Sequence, residues 1–288
     1  MNSTSNRIAI VSVTYNSEGV IQGFVDAVAK HEAGSSVVVV DNASPGGLPR
    51  VNVHLVRMEA NAGFGAGCNA ARAILSEGNP PDYVAFLNPD VRLQANSLTQ
   101  IADQMDKEPT TGLATGSLVD ADGAPMAAAW GPPSAARLLW KLFGLDLPRV
   151  RRYVGRFGKG GVLTSASSMV RSIEEVEGFV IGGAMMARWS CLEALNWFDE
   201  RFFLTWEDTD LCTRGRQAGW RTSQYVTDPI VHFGSHSSEG VSARHWRRWY
   251  WEGARIYADK HRDSMSTISR VIVRIGARTF SRMRTESA

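Results

Sequence analysis

The stretch RIAIVSVTYN (residues 7–16) joins a β-branched apolar run to a polar end, and it decides the fold class. The same plan returns in SVVVVDNAS (residues 36–44) and YVAFLNPD (residues 83–90), with helical periodicity between the runs. Continuous apolar strands that alternate with helices predict an α/β fold whose mostly parallel sheet is covered on both faces. Ligands of such sheets bind beyond the carboxyl ends of the strands, so the polar residues there form the candidate site.

Composition indicates a folded protein and disfavours several classes. The 288 residues are 44% hydrophobic and 21% charged, which is enough apolar material for one large domain or two small ones. Three cysteines without paired or metal-ligand spacing argue against a disulfide scaffold and a structural zinc site. The polar N-terminus and the lack of a run of about 18 apolar residues lead us to expect a cytosolic protein without a membrane span.

Charge is nearly balanced over the whole chain but unevenly distributed along it. Residues 244–288 carry 11 Lys and Arg against 4 Asp and Glu, a net +7, which leaves residues 1–243 at −5 of the total +2. A mildly acidic body with a basic end is typical of a domain whose C-terminal part meets an anionic surface. The acidic body disfavours polynucleotide binding, and we expect no nucleic-acid partner.

The second half of the chain has a less regular pattern. Gly, Pro and Ser are frequent in residues 121–177, and residues 136–157 interleave Leu, Trp and Phe with Arg and Lys. That segment fits either an ordinary packing insertion or a surface that faces a lipid interface. Strands are predicted near residues 113–119 and over residues 223–232, and a return to ordered structure is predicted over residues 178–189.

Asn88-Pro89-Asp90 follows a predicted buried strand and carries two oxygen-bearing side chains two residues apart. Carboxylate and amide oxygens are ligands that Mg²⁺ and Mn²⁺ prefer, with a substrate's phosphates completing the shell. The same residues are common turn formers, so a plain turn is the alternative. His232 ends the last predicted strand, and a lone histidine there is more often structural.

A glycine-rich loop, NAGFGAGCN (residues 61–69), enters a predicted helix. Glycines let the backbone approach a phosphate or a sugar, and the free N–H groups of a helix N-terminus attract anions. The spacing of Gly63, Gly65 and Gly67 is not the fingerprint of dinucleotide-binding folds, and the loop does not follow the first strand. A nicotinamide enzyme is therefore disfavoured, while an ordinary glycine-rich turn stays open.

Three carboxylates in four residues mark the segment WEDTD (residues 206–210) at a predicted helix start. Acidic residues in a first turn cap free N–H groups and interact favourably with the helix dipole, so capping alone could explain them. The preceding aromatic residues suggest a second role. Glu207 or Asp208 in a partly dry cleft would have a raised pKa suited to a general base.

Taken in order, these pieces resemble glycosyltransferase family 2, the inverting transferases of the GT-A fold, and within it the bacterial rhamnosyltransferase branch. Each motif is weak alone, but seven in the family's order are specific. The motifs, which span residues 7–240, are VSVTYN (11–16), VVVVDNAS (37–44), NAGFGAGCN (61–69), FLNPD (86–90), GGAMMARW (182–189), FDERFFLTWEDTDLCTR (198–214) and VHFGSHSS (231–238).

The resemblance implies a GT-A domain over residues 1–241, with a Rossmann-like, mostly parallel central sheet flanked by helices. Residues 7–120 would form the nucleotide-sugar-binding half and residues 121–241 the acceptor-binding half. Residues 242–288 lie beyond the motifs, and we predict that they form a basic helical C-terminal extension.

The resemblance also implies a donor site. Asp41 would accept a hydrogen bond from a pyrimidine N3–H, and the glycine-rich loop would line the donor's phosphates and sugar. The other residues implied in nucleotide-sugar binding are Thr14, Tyr15, Asn16, Asn42, Asn61, Gly63, Phe64, Asn69 and Asn88.

Asn88-Pro89-Asp90 stands where the family carries its D-x-D metal motif, which implies Mg²⁺ or Mn²⁺ as cofactor. Asp90 matches the ligand that is usually kept, and Asn88 and His232 would be further ligands. The amide at Asn88 departs from the family's carboxylate and lowers the local charge.

Other motifs imply the base and the acceptor site. Asp208 matches the family's general base, with its neighbour Glu207 as the substitute. Four residues would border the acceptor: Gly182, Gly183, Ala184 and Trp206.

The branch that the chain resembles implies transfer of L-rhamnose from dTDP-L-rhamnose to a lipid-linked saccharide in cell-surface polysaccharide synthesis. Another donor such as a UDP-sugar, and a non-catalytic or differently acting sugar-nucleotide-binding protein, are the alternatives. We expect the basic, aromatic tail to dock on an anionic membrane surface, which would make the protein cytoplasmic and peripheral on the inner face of the cell membrane. A solvated helical tail is the other interpretation of that segment, and a homo-oligomer stays open.

Overall fold

The computed structural model describes residues 7–143, 166–167, 174–234 and 242–281. The strands are β1 Ile8–Thr14, β2 Ser36–Asp41, β3 His54–Arg57, β4 Tyr83–Leu87, β5 Val91–Arg92, β6 Thr111–Thr115, β7 Leu118–Val119, β8 Pro125–Met126, β9 Ala129–Trp130, β10 Ala166–Ser167, β11 Glu174–Glu175, β12 Phe179–Val180, β13 Ala184–Arg188, β14 Arg221–Gln224 and β15 Ile230–His232. The α-helices are α1 Glu18–His31, α2 Phe64–Ala70, α3 Arg72–Leu75, α4 Ser97–Lys107, α5 Ala135–Leu142, α6 Trp189–Leu195, α7 Glu207–Gln217, α8 Ala243–Lys260 and α9 Thr267–Ser281.

A large sheet of eight strands forms the centre, in the order β11–β14–β6–β13–β4–β1–β2–β3. Strands β3, β2, β1 and β4 are parallel, because helices return the chain between β1 and β2 and between β3 and β4. β13 enters antiparallel between β4 and β6, while β14 is parallel to β6. The α/β class and the helix-flanked central sheet are confirmed, with antiparallel strands added at β13 and β11.

Two runs predicted as single strands are each divided, so that part of the prediction was wrong. Residues 113–119 become β6 and β7, and residues 223–232 become β14 and β15, while residues 178–189 hold β12 and β13. β7 and β15 leave the large sheet and pair with β5 and β8 in a separate four-stranded sheet. The chain changes sheet where the Ser117 N–H donates to Thr227 Oγ1 at 3.1 Å, a side-chain contact that apolar patterns do not reveal.

Two hydrophobic clusters cover the two faces of the sheet, as strand alternation requires. In β1, Ile8 and Ile10 belong to the cluster that includes Phe24 of α1 and Leu98 of α4. The alternate residues Ala9 and Val11 belong to the other cluster, which includes residues of α2 and α6. The interior of the sheet therefore holds its strands rigidly, and their polar ends keep fixed positions.

The C-terminal helices α8 and α9 pack on the body of the protein. Trp251 and Tyr257 are each only 1% exposed, and they share a third cluster with Phe202 and Trp206 from the segment before α7. A solvated tail is therefore wrong for residues 242–281. Outside the described part of the chain lie residues 144–157 of the apolar and basic segment 136–157, residues 235–238 of the last motif and residues 282–288 of the tail.

Within the described residues, each helix is either too short or too polar to cross a bilayer.

Candidate active site

The donor-binding residues predicted after β1 and β2 meet at one edge of the sheet. Thr14 ends β1 opposite Asp41, and both side chains are buried. Asp41 Oδ1 accepts a hydrogen bond from the Ser44 N–H at 2.9 Å, and Asp41 Oδ2 forms an ion pair with Arg57 Nη1 at 3.1 Å. Thr14 Oγ1 is buried without a hydrogen-bond partner in the described part of the chain. An unpaired buried hydroxyl is costly, so this atom is a candidate contact for a ligand.

Tyr15 and Asn16 continue from β1 into the open edge. Asn16 is exposed in a left-handed conformation with φ 53°, and its N–H donates to Ser44 Oγ at 3.0 Å. Tyr15 is 39% exposed, which leaves its ring available to stack on a planar base. The structure thus brings Tyr15 and Asn16 together with Thr14 and Asp41.

Asn42 does not face the open edge of the sheet with Tyr15 and Asn16, because its side chain is hydrogen-bonded to the glycine-rich loop. Its Nδ2 donates to Asn61 Oδ1 at 2.9 Å and to the Gly63 carbonyl at 3.1 Å. Its Oδ1 accepts from the Ala62 N–H at 3.0 Å, so both ends of the amide are occupied. Asn42 and Asn61 therefore shape the loop that we predicted as the donor phosphate site.

Gly63 and Phe64 join this loop to the segment that precedes α7. Gly63 has φ 92°, and a Cβ atom on it would lie 2.1 Å from the Phe203 carbonyl oxygen, so only glycine fits. The Phe64 N–H donates to that same oxygen at 2.9 Å. Asn69 makes a second link, because its amide donates to the Phe198 carbonyl at 2.9 Å and accepts from the Phe198 N–H at 3.1 Å. The predicted donor loop is therefore tied to the segment that leads to the acidic residues.

The predicted metal ligands Asp90 and His232 lie side by side because β15 pairs with β5. His232 is opposite Val91 in this antiparallel pair, and His232 Nε2 lies 3.3 Å from Asp90 Oδ1. Asp90 is 1% exposed, and in the described part of the chain neither its Oδ1 nor His232 Nδ1 has a hydrogen-bond partner. Both atoms are buried polar groups that lack a hydrogen-bond partner within the described ranges, which is the condition that a bound cation or phosphate would relieve.

Asp208, the predicted base, lies in the first turn of α7 against Gly182. Asp208 Oδ2 accepts from the Gly182 N–H at 3.2 Å, and Asp208 Oδ1 accepts from the Thr209 N–H at 2.6 Å. Burial raises the pKa of Asp208, and these hydrogen bonds oppose the rise only in part. A half-buried, oriented carboxylate with a raised pKa is suited to accept a proton.

Glu207, its neighbour, points into the protein beneath α2. It is 6% exposed, its Cβ would lie 3.8 Å from a Cβ on Gly65, and its charge raises the pKa of the buried Cys68 thiol. Burial raises the pKa of Glu207 well above its usual range, and the charge of Asp208 raises it further. Glu207 Oε2 has no hydrogen-bond partner among the residues described. The two adjacent acids therefore occupy different environments.

Gly182 and Gly183 bring the two halves of the site together. Gly182 contacts Asp208, while a Cβ on Gly183 would lie 2.4 Å from Asn88 Nδ2, and the Asn88 N–H donates to the Gly183 carbonyl at 2.9 Å. Consecutive Cα atoms are only about 3.8 Å apart, so Asp208 and Asn88 border the same short segment. Because Asp90 follows Asn88 by two residues, the predicted metal ligand and the predicted base flank the same Gly182–Gly183 segment.

Ala184 and Trp206, both predicted at the acceptor site, are buried. Ala184 is 2% exposed, and its carbonyl accepts a hydrogen bond from Thr115 Oγ1 at 2.7 Å. Trp206 is 6% exposed, and its ring packs against Tyr250 and Tyr257 at centroid distances of 5.5 and 5.2 Å. Ala184 follows Gly183 in the sequence and Trp206 precedes Asp208 by two residues, but the side chains of both fill the interior.

Sequence analysis missed two contributors to the site. Arg57 lies opposite Asp41 in the β2–β3 register, so an alignment of the polar strand ends could have found it. The contribution of Phe203 is a backbone carbonyl, and a backbone contact leaves no residue pattern in the sequence.

Two family models match the chain. The model for glycosyl transferase family 2 covers residues 9–124, and the model for glycosyl transferase family group 2 covers residues 148–281. The first match contains the donor edge and Asp90, and the second contains α7 and continues through α8 and α9. The chain belongs to glycosyltransferase family 2. It is a glycosyltransferase, and the resemblance noted in the sequence is confirmed.

Two relatives of this family 2 glycosyltransferase are rhamnosyltransferases. The N-acetylglucosaminyl-diphospho-decaprenol L-rhamnosyltransferase of Mycobacterium tuberculosis is 28% identical over 271 residues, which cover 88% of this chain and 85% of that protein. Rhamnosyltransferase WbbL of Escherichia coli is 22% identical over 275 residues, which cover 91% of this chain and 98% of that protein.

Solved structures support the fold assignment of this glycosyltransferase. The crystal structure of TarS from S. aureus matches 96% of the chain with a TM-score of 0.54 and 16% identity, and the match spans only 43% of TarS. The mannosyltransferase PcManGT from Pyrobaculum calidifontis, in complex with GDP-Man and Mn²⁺, matches 94% of the chain and 69% of its own with a TM-score of 0.53 and 17% identity. At these identities the likeness shows the fold alone, and it confirms the GT-A fold.

Proposed function

We propose that this glycosyltransferase transfers L-rhamnose from dTDP-L-rhamnose to a lipid-linked saccharide, with inversion at the anomeric carbon. The observation that carries the proposal is the convergence at Gly182 and Gly183, where Asp208 contacts the first glycine and Asn88 the second, and we take the crevice of the active site to lie there. The names of the relatives support the sugar and the kind of acceptor. Both are rhamnosyltransferases, and one is named for a decaprenol-linked N-acetylglucosaminyl diphosphate.

The donor's nucleoside would bind at the ends of β1 and β2. Its pyrimidine N3–H would donate to Asp41, whose carboxylate Arg57 already pairs at 3.1 Å, and its ring would stack on the half-exposed Tyr15. The unpaired Thr14 hydroxyl supplies a further contact. The diphosphate would then reach the glycine-rich loop, where α2 begins directly after Gly63.

Asp90 and His232, with Asn88 beside them, fit Mg²⁺ or Mn²⁺. The buried, unpaired Asp90 Oδ1 supports this assignment, and its neighbour His232 adds a nitrogen ligand. No group of three or more acidic, His or Cys side chains forms a cation site in the described ranges, so the protein alone offers a partial shell. We therefore expect the phosphate oxygens of the donor to complete it, so that cation and donor bind together. A divalent cation there would stabilise the charge that develops on the leaving diphosphate.

Asp208 would act as the general base. The acceptor hydroxyl oxygen forms a bond to the anomeric carbon while the bond from that carbon to the diphosphate breaks, and the electron pair leaves with the diphosphate. The hydroxyl proton passes to Asp208, whose raised pKa makes it a stronger base than an ordinary aspartate. Because the attack comes from the face opposite the leaving group, a single displacement inverts the configuration.

The test of this role compares two isosteric substitutions at neighbouring residues. We expect Asp208→Asn to lower the transfer rate by roughly 10²–10⁴ while donor binding, followed by thermal shift, is kept. We expect Glu207→Gln, which changes a side chain outside the crevice, to keep the rate within a few fold of wild type. Near-normal transfer by Asp208→Asn would remove Asp208 from the base role and leave Glu207 as the candidate.

A panel of nucleotide sugars tests the donor. We expect dTDP-L-rhamnose with Mn²⁺ to raise the melting temperature more than UDP-sugars do, because only a bound ligand stabilises the folded state. Stronger stabilisation and transfer with a UDP-sugar would replace the proposed donor. Binding without transfer to a polyprenyl diphosphate saccharide and without donor hydrolysis would make the protein a non-catalytic sugar-nucleotide-binding protein.

The outer face of α9 supports docking on an anionic membrane. Ile268, Val271 and Ile275 are 66%, 47% and 50% exposed, and their spacing of three and four residues places them on one helix face. Arg274 and Arg278 are exposed on the same helix. Apolar side chains flanked by arginines suit the boundary between acidic headgroups and acyl chains.

Point substitutions test this docking better than truncation, because α9 also buries Ile272 and Phe280 in the core. We expect the wild-type protein to co-sediment with phosphatidylglycerol vesicles and the double variant Ile268→Ser/Ile275→Ser to lose this binding. Neither the wild type nor the variant should bind phosphatidylcholine vesicles. Arg255→Gln, on the exposed part of α8, is the control for loss of an exposed charge. Equal sedimentation of all proteins would refute membrane docking by α9.

A further inference from the structure

The two residues before α7 adopt an unusual backbone. Thr205 has φ 69° and Trp206 has φ 73°, and both are non-glycine residues in the left-handed region. Such conformations persist only where the surrounding structure holds them. This turn sets the direction in which α7 leaves, and Asp208 is the second residue of that helix. Whatever holds the turn therefore also orients the base.

Helix α8 holds the turn from outside by close contact. A Cβ atom on Gly253 would lie 2.9 Å from the Thr205 carbonyl oxygen and 3.0 Å from Trp206 Cδ1. The Trp206 ring lies against Tyr250 and Tyr257 of the same helix. Glycine at 253 thus allows the helix to approach the strained turn more closely than any other residue would.

Helix α8 and its C-cap residue also hold α7 itself. His261 Nε2 lies 2.7 Å from Asp210 Oδ1, and Lys260 Nζ lies 2.8 Å from the same oxygen. The Thr213 hydroxyl lies 2.9 Å from the Tyr257 hydroxyl, one turn further along α7. Asp210 is fully buried and follows Asp208 by two residues, so these contacts fix the first turn of the helix.

We propose that helix α8 is a working part of the catalytic site, in which Gly253 and His261 are positioning residues for Asp208. The inference rests on the proposed role of Asp208 as general base. Helix α8 restrains the base by two separate contacts, which we call the first and second hold. The first is the contact of Gly253 with the Thr205–Trp206 turn before the base, and the second is the contact of His261 with Asp210, two residues after it. A shift of about 1 Å in a reacting group can lower a rate by roughly 10²-fold, so loosening either hold should reduce turnover.

Gly253→Ala tests the first hold, and Gly19→Ala is its control. Both add one methyl group to a helix, but a Cβ on Gly19 of α1 has no heavy atom of another element within 4 Å in the described part of the chain. Alanine favours helix over glycine, so a loss in Gly253→Ala would not come from a weaker α8. We expect Gly253→Ala to lower kcat by about 10-fold to 100-fold with an unchanged donor KM. Gly19→Ala should leave kcat unchanged.

His261 tests the second hold by rescue. His261→Gln keeps a nitrogen donor that can reach Asp210, whereas His261→Ala removes it. We expect His261→Ala to lose kcat at least 10-fold, and His261→Gln to recover most of it. Donor binding by thermal shift should be equal in both, because the donor edge lies at the ends of β1 and β2.

The outcomes separate this inference from the proposed function. If wild type transfers and Asp208→Asn does not, but Gly253→Ala keeps the wild-type kcat, the positioning role is overturned and the base role stands. Loss of kcat in His261→Ala without recovery in His261→Gln would likewise overturn the second hold. If Asp208→Asn retains transfer, the proposed function fails, whatever the Gly253 variant does.

Discussion

Replacement of Glu207 by Gln should make the protein more stable and leave it active. Glu207 is 6% exposed and its Oε2 has no hydrogen-bond partner in the described part of the chain, while Asp208 places a second negative charge beside it. Burial and this neighbouring charge both disfavour the ionised form. Gln has the same shape without the charge, so it removes that cost and keeps the packing against Gly65.

The magnitude follows from the cost of ionisation, because Gln keeps a polar head group and only the charge is removed. A raised carboxyl pKa costs up to about 1.4 kcal/mol for each pH unit above the ordinary value, so we expect Glu207→Gln to recover about 1–3 kcal/mol at neutral pH. In a domain of about this size, each kcal/mol corresponds to a rise in melting temperature of about 2–4 °C.

The stability gain from Glu207→Gln should depend on pH in a defined direction. A carboxyl group whose pKa is raised by folding stabilises the protein below its unfolded-state pKa, and this contribution is lost as the pH rises through the folded-state pKa. The gain from Glu207→Gln should therefore be smallest near pH 4.5, the ordinary value for Glu, and grow as the pH increases. Thermal unfolding of both proteins over a pH series measures this difference.

Two results would refute this reasoning. A lower melting temperature for Glu207→Gln throughout the pH series would mean that the carboxylate has a stabilising partner. A gain that stays constant with pH would mean that the Glu207 pKa is not raised.

Three further predictions concern the loop, the cation site and the ion pairs near α8. Gly63→Ala should lower the free energy of unfolding by about 2–6 kcal/mol, because left-handed strain and the clash with the Phe203 carbonyl each cost about 1–3 kcal/mol; urea denaturation giving no loss would contradict the contact. Asp90→Ala should remove the Mn²⁺ dependence of donor binding in thermal shift, and an unchanged Mn²⁺ response would exclude Asp90 as a ligand. Hydrogen bonds from Arg201 and Lys260 hold the pKa of Asp199 below its ordinary 3.8, so its contribution to stability should be lost as the pH falls; Asp199→Asn should be less sensitive to acid, and equal sensitivity would contradict the pairing.

The sheet could be predicted from the sequence because its signal is local. A continuous apolar strand such as SVVVV is marked by its own residues, and its carboxyl end is marked by Asp41 and the turn that follows. Parallel pairing then brings such ends to one edge, so the proximity of Thr14 and Asp41 follows from the pattern without knowledge of the contacts. The same reasoning located Asn88 and Asp90 correctly at the end of β4.

The division of the later strands could not be predicted because it depends on pairing between distant residues. Residues 223–232 look like one strand, yet β14 pairs with β6 and β15 pairs with β5 and β7. Apolar periodicity is the same on both sides of the break. The contact between His232 and Asp90 results from the second pairing, so the sequence could suggest it only through the family resemblance.

The choice between Glu207 and Asp208 shows where sequence reasoning ends at this site. Adjacent residues on a helix point about 100° apart, so only one of two neighbouring acids can face a given crevice. The sequence does not fix which one, because a rotation of α7 by that angle would bring Glu207 to the direction that Asp208 faces in the structure. The rotation is set by the Thr205–Trp206 turn and by the Asp210 contacts, and both depend on α8, which lies far along the chain. A variant that loosens α8 should therefore affect the two acids in opposite ways, exposing Glu207 to solvent while withdrawing Asp208 from the acceptor.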